Sequence, residues 1–514
     1  MSAHIGLPAG LVVVALCLTL CLCTTAVGGL RVALVSDIHY DPLYGTPKAF
    51  HCTKPSDPVW GLPGCDASPQ LTARTLDDVS AQNTSLFLYV GDWQRHNYKA
   101  SGLAPAALFK DLSERFRHVS VDGSLGPIAF STSLGNNDVD PDYYFAWEEE
   151  KSKMELSQRV EAMKEVGVLD NAEASMMRKC GYYTHKVPGV RLIVLNTLLW
   201  AYTLKPPLPP DVSDPCNQFL FLRRELAEVR AARERAIIMG HIPPGLSLND
   251  VLSRGFKSVA DDMFWKEQYE ETYDSIIYEY KDHIATQLFG HTHRFRLLTV
   301  PRNGVLSLIV PAISPIFHNH PSYLVANFTD AWSLEDTLIR YMTDGGVFHS
   351  GHSARTALGL TNGLQFFAEV QEAITRLARD DAMWEHFLTM FCGGKKLLDV
   401  FPKGNCDEHC RYVVVCSMLE NDHAKVQRCV DEYEGQIVPP QDCQTSGYVI
   451  AVIVMFSLLV VAACMVLLLM TRSGQMTISL ERVTTAAWWR SLLVKRKNTA
   501  IVEGNWAVDV LHPF

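Results

Sequence analysis

From Leu30 to His293 the chain repeats one device, a short apolar run that stops abruptly at a glycine, a carboxylate, an amide or a histidine. The stops are Asp37-Ile38-His39, Gly91-Asp92, Gly135-Asn136-Asn137-Asp138, Gly240-His241 and Gly290-His291-Thr292-His293. Short apolar stretches closed by polar or glycine residues read as buried strands. Strands of this kind need covering layers, so the pattern restricts the chain to a layered fold.

Six strands are expected, over residues 30–36, 86–90, 128–134, 191–195, 236–239 and 285–289. Helical stretches at 104–118, 148–165, 217–233 and 262–280 lie between several of them, which favours strand-helix-strand units and an α/β class over a meander. In such sheets functional groups gather in the crevice beyond the carboxyl ends of the strands, where the polar stops fall. Further strands are expected at 305–311 and 322–327. The pattern changes near Gly345-Gly346, then apolar residues recur at helical spacing over 361–391, and Cys406, Cys410, Cys416 and Cys429 crowd together. This predicts a small helical, cysteine-rich subdomain over 346–446 after a main domain over 29–345.

Two long apolar segments set the expected topology. Residues 1–26 read as a signal peptide, ending in small residues at Thr24-Thr25-Ala26. From Tyr448 to Met470 an uncharged stretch of 23 residues is long enough to cross a bilayer, giving a span over 447–470. Arg472, Arg482, Arg490, Lys495, Arg496 and Lys497 follow it, which places the 471–514 tail in the cytosol and makes the chain a single-pass type I membrane protein. The preceding region is then lumenal, in a lysosome or vacuole, or extracellular. It carries an even number of cysteines, Cys52, Cys65, Cys180, Cys216, Cys392, Cys406, Cys410, Cys416, Cys429 and Cys443, which reads as disulfides. Sequons at Asn83 and Asn327 fit a glycoprotein on the same route.

The polar stops supply His241, His291, His293 and His39, the carboxylates Asp37 and Asp92, and the amide Asn136. Carboxylate oxygen with imidazole nitrogen suits zinc, iron or manganese better than calcium. We expect two divalent metals, zinc foremost. Asp37, His39 and His293 are assigned to one, Asn136, His241 and His291 to the other, and Asp92 bridges them. A bridging water there would be acidified and aimed at phosphorus, the chemistry of phosphoryl-ester hydrolysis. A net charge of −10 gives no general attraction to a nucleic acid polymer, so a phosphate-bearing substrate must be captured locally.

With these motifs in place the sequence resembles the calcineurin-like metallophosphoesterases, and within them the acid sphingomyelinase-like phosphodiesterases. The resemblance extends to Gly64-Cys65-Asp66 with Ser68-Pro69, Leu195-Asn196-Thr197, Asp214-Pro215-Cys216-Asn217-Gln218-Phe219, Gly240-His241-Ile242-Pro243-Pro244-Gly245 and Pro311-Ala312-Ile313-Ser314-Pro315. It implies a layered β-sandwich flanked by helices, the same seven metal ligands, and pairing of Cys406 with Cys410 and of Cys416 with Cys429.

One position departs from that family, which usually has Asn-His in its third motif, where this chain has Asn136-Asn137. An amide can orient a phosphate oxygen but cannot donate a proton as an acid. His96, four residues after Asp92, is the expected replacement donor to the leaving group, with Asn137 steadying the developing negative charge. The Asn-Asn variant also resembles vacuolar endopolyphosphatases. Expected substrates are therefore small phosphate esters or anhydrides such as nucleotide derivatives, with polyphosphate and lipid head groups as alternatives. A surface receptor that keeps the fold without turnover is the rival from another class.

Overall fold

The apolar runs become strands of two six-stranded sheets in a computed structural model that describes residues 29–435 apart from 124, 126–129, 344 and 395–405. The segments read as signal peptide, membrane span and cytosolic tail lie outside the described residues. Among the described residues no helix is long and apolar enough to cross a membrane.

In the first sheet β1 (Leu30–Val35), β2 (Leu86–Tyr89) and β3 (Phe130–Thr132) run parallel. On the other side of β1 the chain returns antiparallel as β10 (Ser322–Phe328), β11 (Leu334–Met342) and β12 (Phe348–Ser353). The second sheet has β4 (Tyr183–Val187) antiparallel to β5 (Val190–Val194), then β6 (Arg235–Met239), β7 (Ile284–Phe289) and β9 (Ser307–Ile309) parallel to it, with β8 (Arg296–Leu298) antiparallel at the edge. Every residue of β2, β5 and β7 is buried, as parallel strands covered on both faces require.

Residues of both sheets enter one continuous apolar core. The sheets are also tied directly, because the Tyr183 hydroxyl on β4 donates to the Thr132 carbonyl on β3 at 2.8 Å. The helix Pro69–Ser80 was not among the expected elements, although it carries a start signal: Ser68 accepts from the Leu71 N–H at 3.0 Å and proline stands in the first turn.

Past residue 345 the chain does not leave the sandwich at once, since β12 pairs with β11 at the edge of the first sheet. The stretch expected to be helical over 361–391 forms two helices, Phe367–Leu377 and Asp381–Phe391, separated where Asp380 caps the second. The cysteine-rich helices Glu408–Leu419 and His423–Tyr433 are joined by Cys416–Cys429. They dock beside the edge strand β8 of the second sheet, where the Thr299 N–H donates to the Met418 carbonyl at 2.7 Å, and on the helix Glu267–Tyr280, where Asn421 Nδ2 donates to Asp274 at 2.9 Å. Cys406–Cys410, Cys52–Cys65 and Cys180–Cys216 are also bonded, Cys392 is a buried thiol, and Cys443 lies outside the described residues.

Candidate metal centre

Five loops leave the carboxyl ends of parallel strands β1, β2, β3, β6 and β7 and converge on one buried point. They carry Asp37 and His39, Asp92, Asn136 and Asn137, His241, and His291 and His293 in that order. Asp37, His39, Asp92, His291 and His293 all adopt positive φ, between 47° and 70°. For residues with a Cβ this conformation costs of order 1–3 kcal/mol each, and it persists where the surroundings over-determine it at functional sites.

The loops also approach each other too closely for larger residues. A Cβ on Gly135 would stand 1.9 Å from Asp92 Oδ1, and one on Gly91, at φ +93°, would stand 2.8 Å from His241 Nδ1. The glycines in these motifs thus let neighbouring ligand loops touch.

Asp37, His39 and His293 bring one ligand atom each to within 4.8 Å of one another, and so do Asp92, His241 and His291. Asp92 Oδ2 lies 3.5 Å from His39 Nε2 and 3.2 Å from His241 Nε2, between the two groups. Asn136 joins the second group: Nδ2 donates to Asp142 at 2.9 Å, which turns Oδ1 toward His241 Nε2 at 3.2 Å.

Backbone carbonyls fix the imidazoles. His241 Nδ1 is 2.7 Å from the Val90 carbonyl and His39 Nδ1 is 3.1 Å from that of Gln94. A carbonyl can only accept, so each Nδ1 carries a proton and each Nε2 can present a lone pair to the centre, the arrangement by which metal-binding histidines are oriented. Asp37 Oδ1 is buried there without a hydrogen-bond partner.

Burial alone would push the carboxyls of Asp37 and Asp92 up. The surrounding imidazoles outweigh it, His293 and His241 at Asp37 and His241 and His39 at Asp92, and hold both below the usual carboxylate range. Burial likewise opposes charging the histidines, but Asp37 and Asp92 raise His39 to about 10 and His241 to about 9. His291 goes the other way, pushed down to about 3 by burial and by His241. The carboxylates therefore draw in positive charge at two of the four imidazoles, and cation binding would release those protons. A buried carboxylate oxygen that accepts no hydrogen bond and faces His293 Nε2 at 3.3 Å, with oriented nitrogens and a second buried carboxylate, fits two divalent cations.

Asn137 is only 6% exposed and faces inward. Its backbone N–H donates to Asp92 Oδ1 at 2.8 Å and its Nδ2 to Asp92 Oδ2 at 2.9 Å, so the amide grips the central carboxylate. His96 stands on the open side, stacked on His39 with ring centroids 4.1 Å apart.

Three further residues shape the centre. Asp66 is buried and accepts from His96 Nδ1 at 2.9 Å and from Ser314 at 3.1 Å. Burial would raise its carboxyl, but His96 and then His39 keep it below the usual range. Asp138 accepts from the backbone N–H groups of Asp92 at 3.0 Å, Trp93 at 2.7 Å and Gly135 at 2.7 Å, locking two ligand loops together. Tyr143 places its hydroxyl 3.4 Å from His291 Nε2. Asp66 and Asp138 were visible only as members of motifs, and nothing in the sequence marked Tyr143.

The calcineurin-like phosphoesterase family model matches residues 30–295. The chain is similar to Sphingomyelinase phosphodiesterase D of Dictyostelium discoideum, 25% identical over 279 residues, which is 52% of this chain and 58% of that protein's length. It is also similar to Cyclic GMP-AMP phosphodiesterase SMPDL3A of Mus musculus, 23% identical over 438 residues and covering 78% and 91% of the two chains. Acid sphingomyelinase-like phosphodiesterase 3b of Homo sapiens is 25% identical over 433 residues, covering 77% and 89%.

Proposed function

Because this chain belongs to the calcineurin-like phosphoesterase family, we propose that it is a phosphodiesterase with two divalent metals, zinc foremost, acting on phosphate esters or anhydrides of nucleotide derivatives. The observation that carries this reading is Asp92 Oδ2, set between His39 Nε2 and His241 Nε2 at 3.5 and 3.2 Å where one carboxylate can serve two cations. Similarity to a cyclic GMP-AMP phosphodiesterase over 78% of the chain supports the nucleotide class.

Asp37, His39 and His293 would hold one cation, and Asn136, His241 and His291 the other, with Asp92 shared. The cations, when bound, supply an acidified water and neutralise phosphate charge. Asn137 keeps Asp92 in place through two N–H groups. Asp66 takes up Nδ1 of His96, which leaves Nε2 as the end that delivers a proton to the departing oxygen. No covalent intermediate on the protein is required.

We place this activity in the lumen of a lysosome or vacuole or outside the cell, on a single-pass type I membrane glycoprotein. Four disulfides among the described residues support an oxidising compartment, and the uncharged stretch from Tyr448 to Met470 supports the anchor.

The test is a substrate panel on purified protein of known metal content: bis-p-nitrophenyl phosphate, a cyclic dinucleotide, a nucleoside triphosphate, polyphosphate and sphingomyelin. We expect two metals per chain, turnover of the nucleotide esters and loss of turnover on chelation. Two bound metals with no turnover of any substrate would sink the enzyme reading, and hydrolysis of polyphosphate alone would replace the substrate class.

A further inference from the structure

Away from the metal ligands, the Cys180–Cys216 disulfide lines a cleft of about 440 Å³ between the helices Asn171–Cys180 and Gln218–Ala232. Its volume falls in the range of roughly 300–1,000 Å³ that holds small ligands. Trp147, Tyr182, Leu220 and Phe221 supply its apolar walls, and no carboxylate lines it. Leu220 is 64% exposed although it stands in the first turn of a helix whose other apolar side chains are largely buried, so the surface here is left open on an apolar wall.

Both ionisable cations on the rim point the same way in charge. Arg224 lies over the Phe221 ring at 5.7 Å and is partly neutralised by Glu225 at 3.0 Å. Lys179 is exposed and has no carboxylate partner among the described residues, whereas its neighbour Arg178 is bound to Glu161. An apolar trough with one unpaired ammonium at its lip is complementary to a molecule that has an apolar body and one anionic end.

We propose that this cleft binds a single-chain amphiphile with an anionic head, of the fatty-acid type, its chain against Trp147 and Leu220 and its head at Lys179. No residue of the cleft is among the candidate metal ligands.

The test uses the full chain and dansyl-labelled undecanoic acid below its micellar concentration, with its methyl ester as the uncharged comparison. The acid should bind saturably at one site per chain and more tightly than the ester. Lys179→Met should weaken the acid about tenfold while leaving the ester unchanged. Leu220→Asp, at an exposed position that the fold tolerates, should weaken both, and Trp147→Ala should do the same. Unchanged turnover of bis-p-nitrophenyl phosphate in each variant shows that the chain is folded. Equal binding of acid and ester, no saturable binding, or binding that survives Leu220→Asp and Trp147→Ala together would overturn the proposal.

Discussion

His96 Nδ1 lies 2.9 Å from Oδ1 of Asp66, and the His96 backbone N–H reaches Oδ2 of the same carboxylate at 2.8 Å. One buried carboxylate thus fixes both the ring and the loop that carries it, and Nε2 is the end left for substrate. If that end protonates the leaving group, His96→Ala should cut turnover by about 10² or more for an ester with a poor leaving group, and much less for a p-nitrophenyl ester that needs no proton. Asp66→Asn should reproduce the same leaving-group dependence in milder form, about tenfold, because the ring stays while its orientation loosens. Equal losses on both ester types would remove His96 from proton delivery.

Asn137 should act on metal affinity before it acts on chemistry. Two of its N–H groups grip Asp92, and removing a partner that orients a ligand typically lowers metal affinity or activity by about 10–100-fold. Asn137→Ala should therefore need about tenfold or more added zinc to restore turnover, and saturating zinc should recover most of it. Turnover that stays low at saturating metal would show that the side chain meets substrate instead.

The candidate metal-binding residues were legible in the chain because each follows an apolar strand as its polar terminator, and burial of the strand fixes where its end lies. Asp66 could not be read that way. It stands 30 positions before His96, and the contact exists only once the loops after β1 and β2 come together. β11 was also hidden, for its buried positions Leu334, Thr337, Ile339 and Met342 are unevenly spaced and stand among Glu335, Asp336 and Arg340, and β12 reads as the polar sequence Phe348-His349-Ser350-Gly351-His352-Ser353. Both are strands by virtue of pairing with neighbours rather than by their own hydrophobicity. The inward turn of Asn137 likewise depends on Asp92, a tertiary neighbour that residue type alone does not reveal.

Gly135→Ala tests whether the ligand loops need their close approach. Its φ of −102° suits alanine, so backbone strain is not the issue. The added methyl would meet Asp92 Oδ1 at 1.9 Å and the Asp92 backbone nitrogen at 2.5 Å. Overpacking of this kind costs about 1–3 kcal/mol, and a shift of about 1 Å at a reacting centre can cost about 10²-fold in rate. The variant should melt lower than the parent and lose about 10²-fold in turnover, as read by thermal unfolding and by hydrolysis of bis-p-nitrophenyl phosphate. Parent-like activity would mean that Asp92 has room to move.

The chelated protein should lose stability as pH rises, while the metal-loaded protein keeps it. In the metal-free cluster burial disfavours charge on the imidazoles, yet Asp37 and Asp92 raise His39 to about 10, and Asp92 and Asp37 raise His241 to about 9. Both folded values exceed the unfolded value of about 6.5, so folding takes up protons. This contribution is complete below about pH 6.5 and is lost as pH climbs through about 9 and about 10. His291, pushed down to about 3, titrates on the acid side and does not enter the window. When cations occupy the centre the imidazoles are neutral ligands and the alkaline loss disappears. Melting temperatures between about pH 7 and about pH 10 should therefore diverge with and without chelator, and His39→Gln should flatten the chelated curve. Parallel curves would show that these imidazoles do not share charge with Asp37 and Asp92, and with that the binuclear arrangement would lose its electrostatic basis.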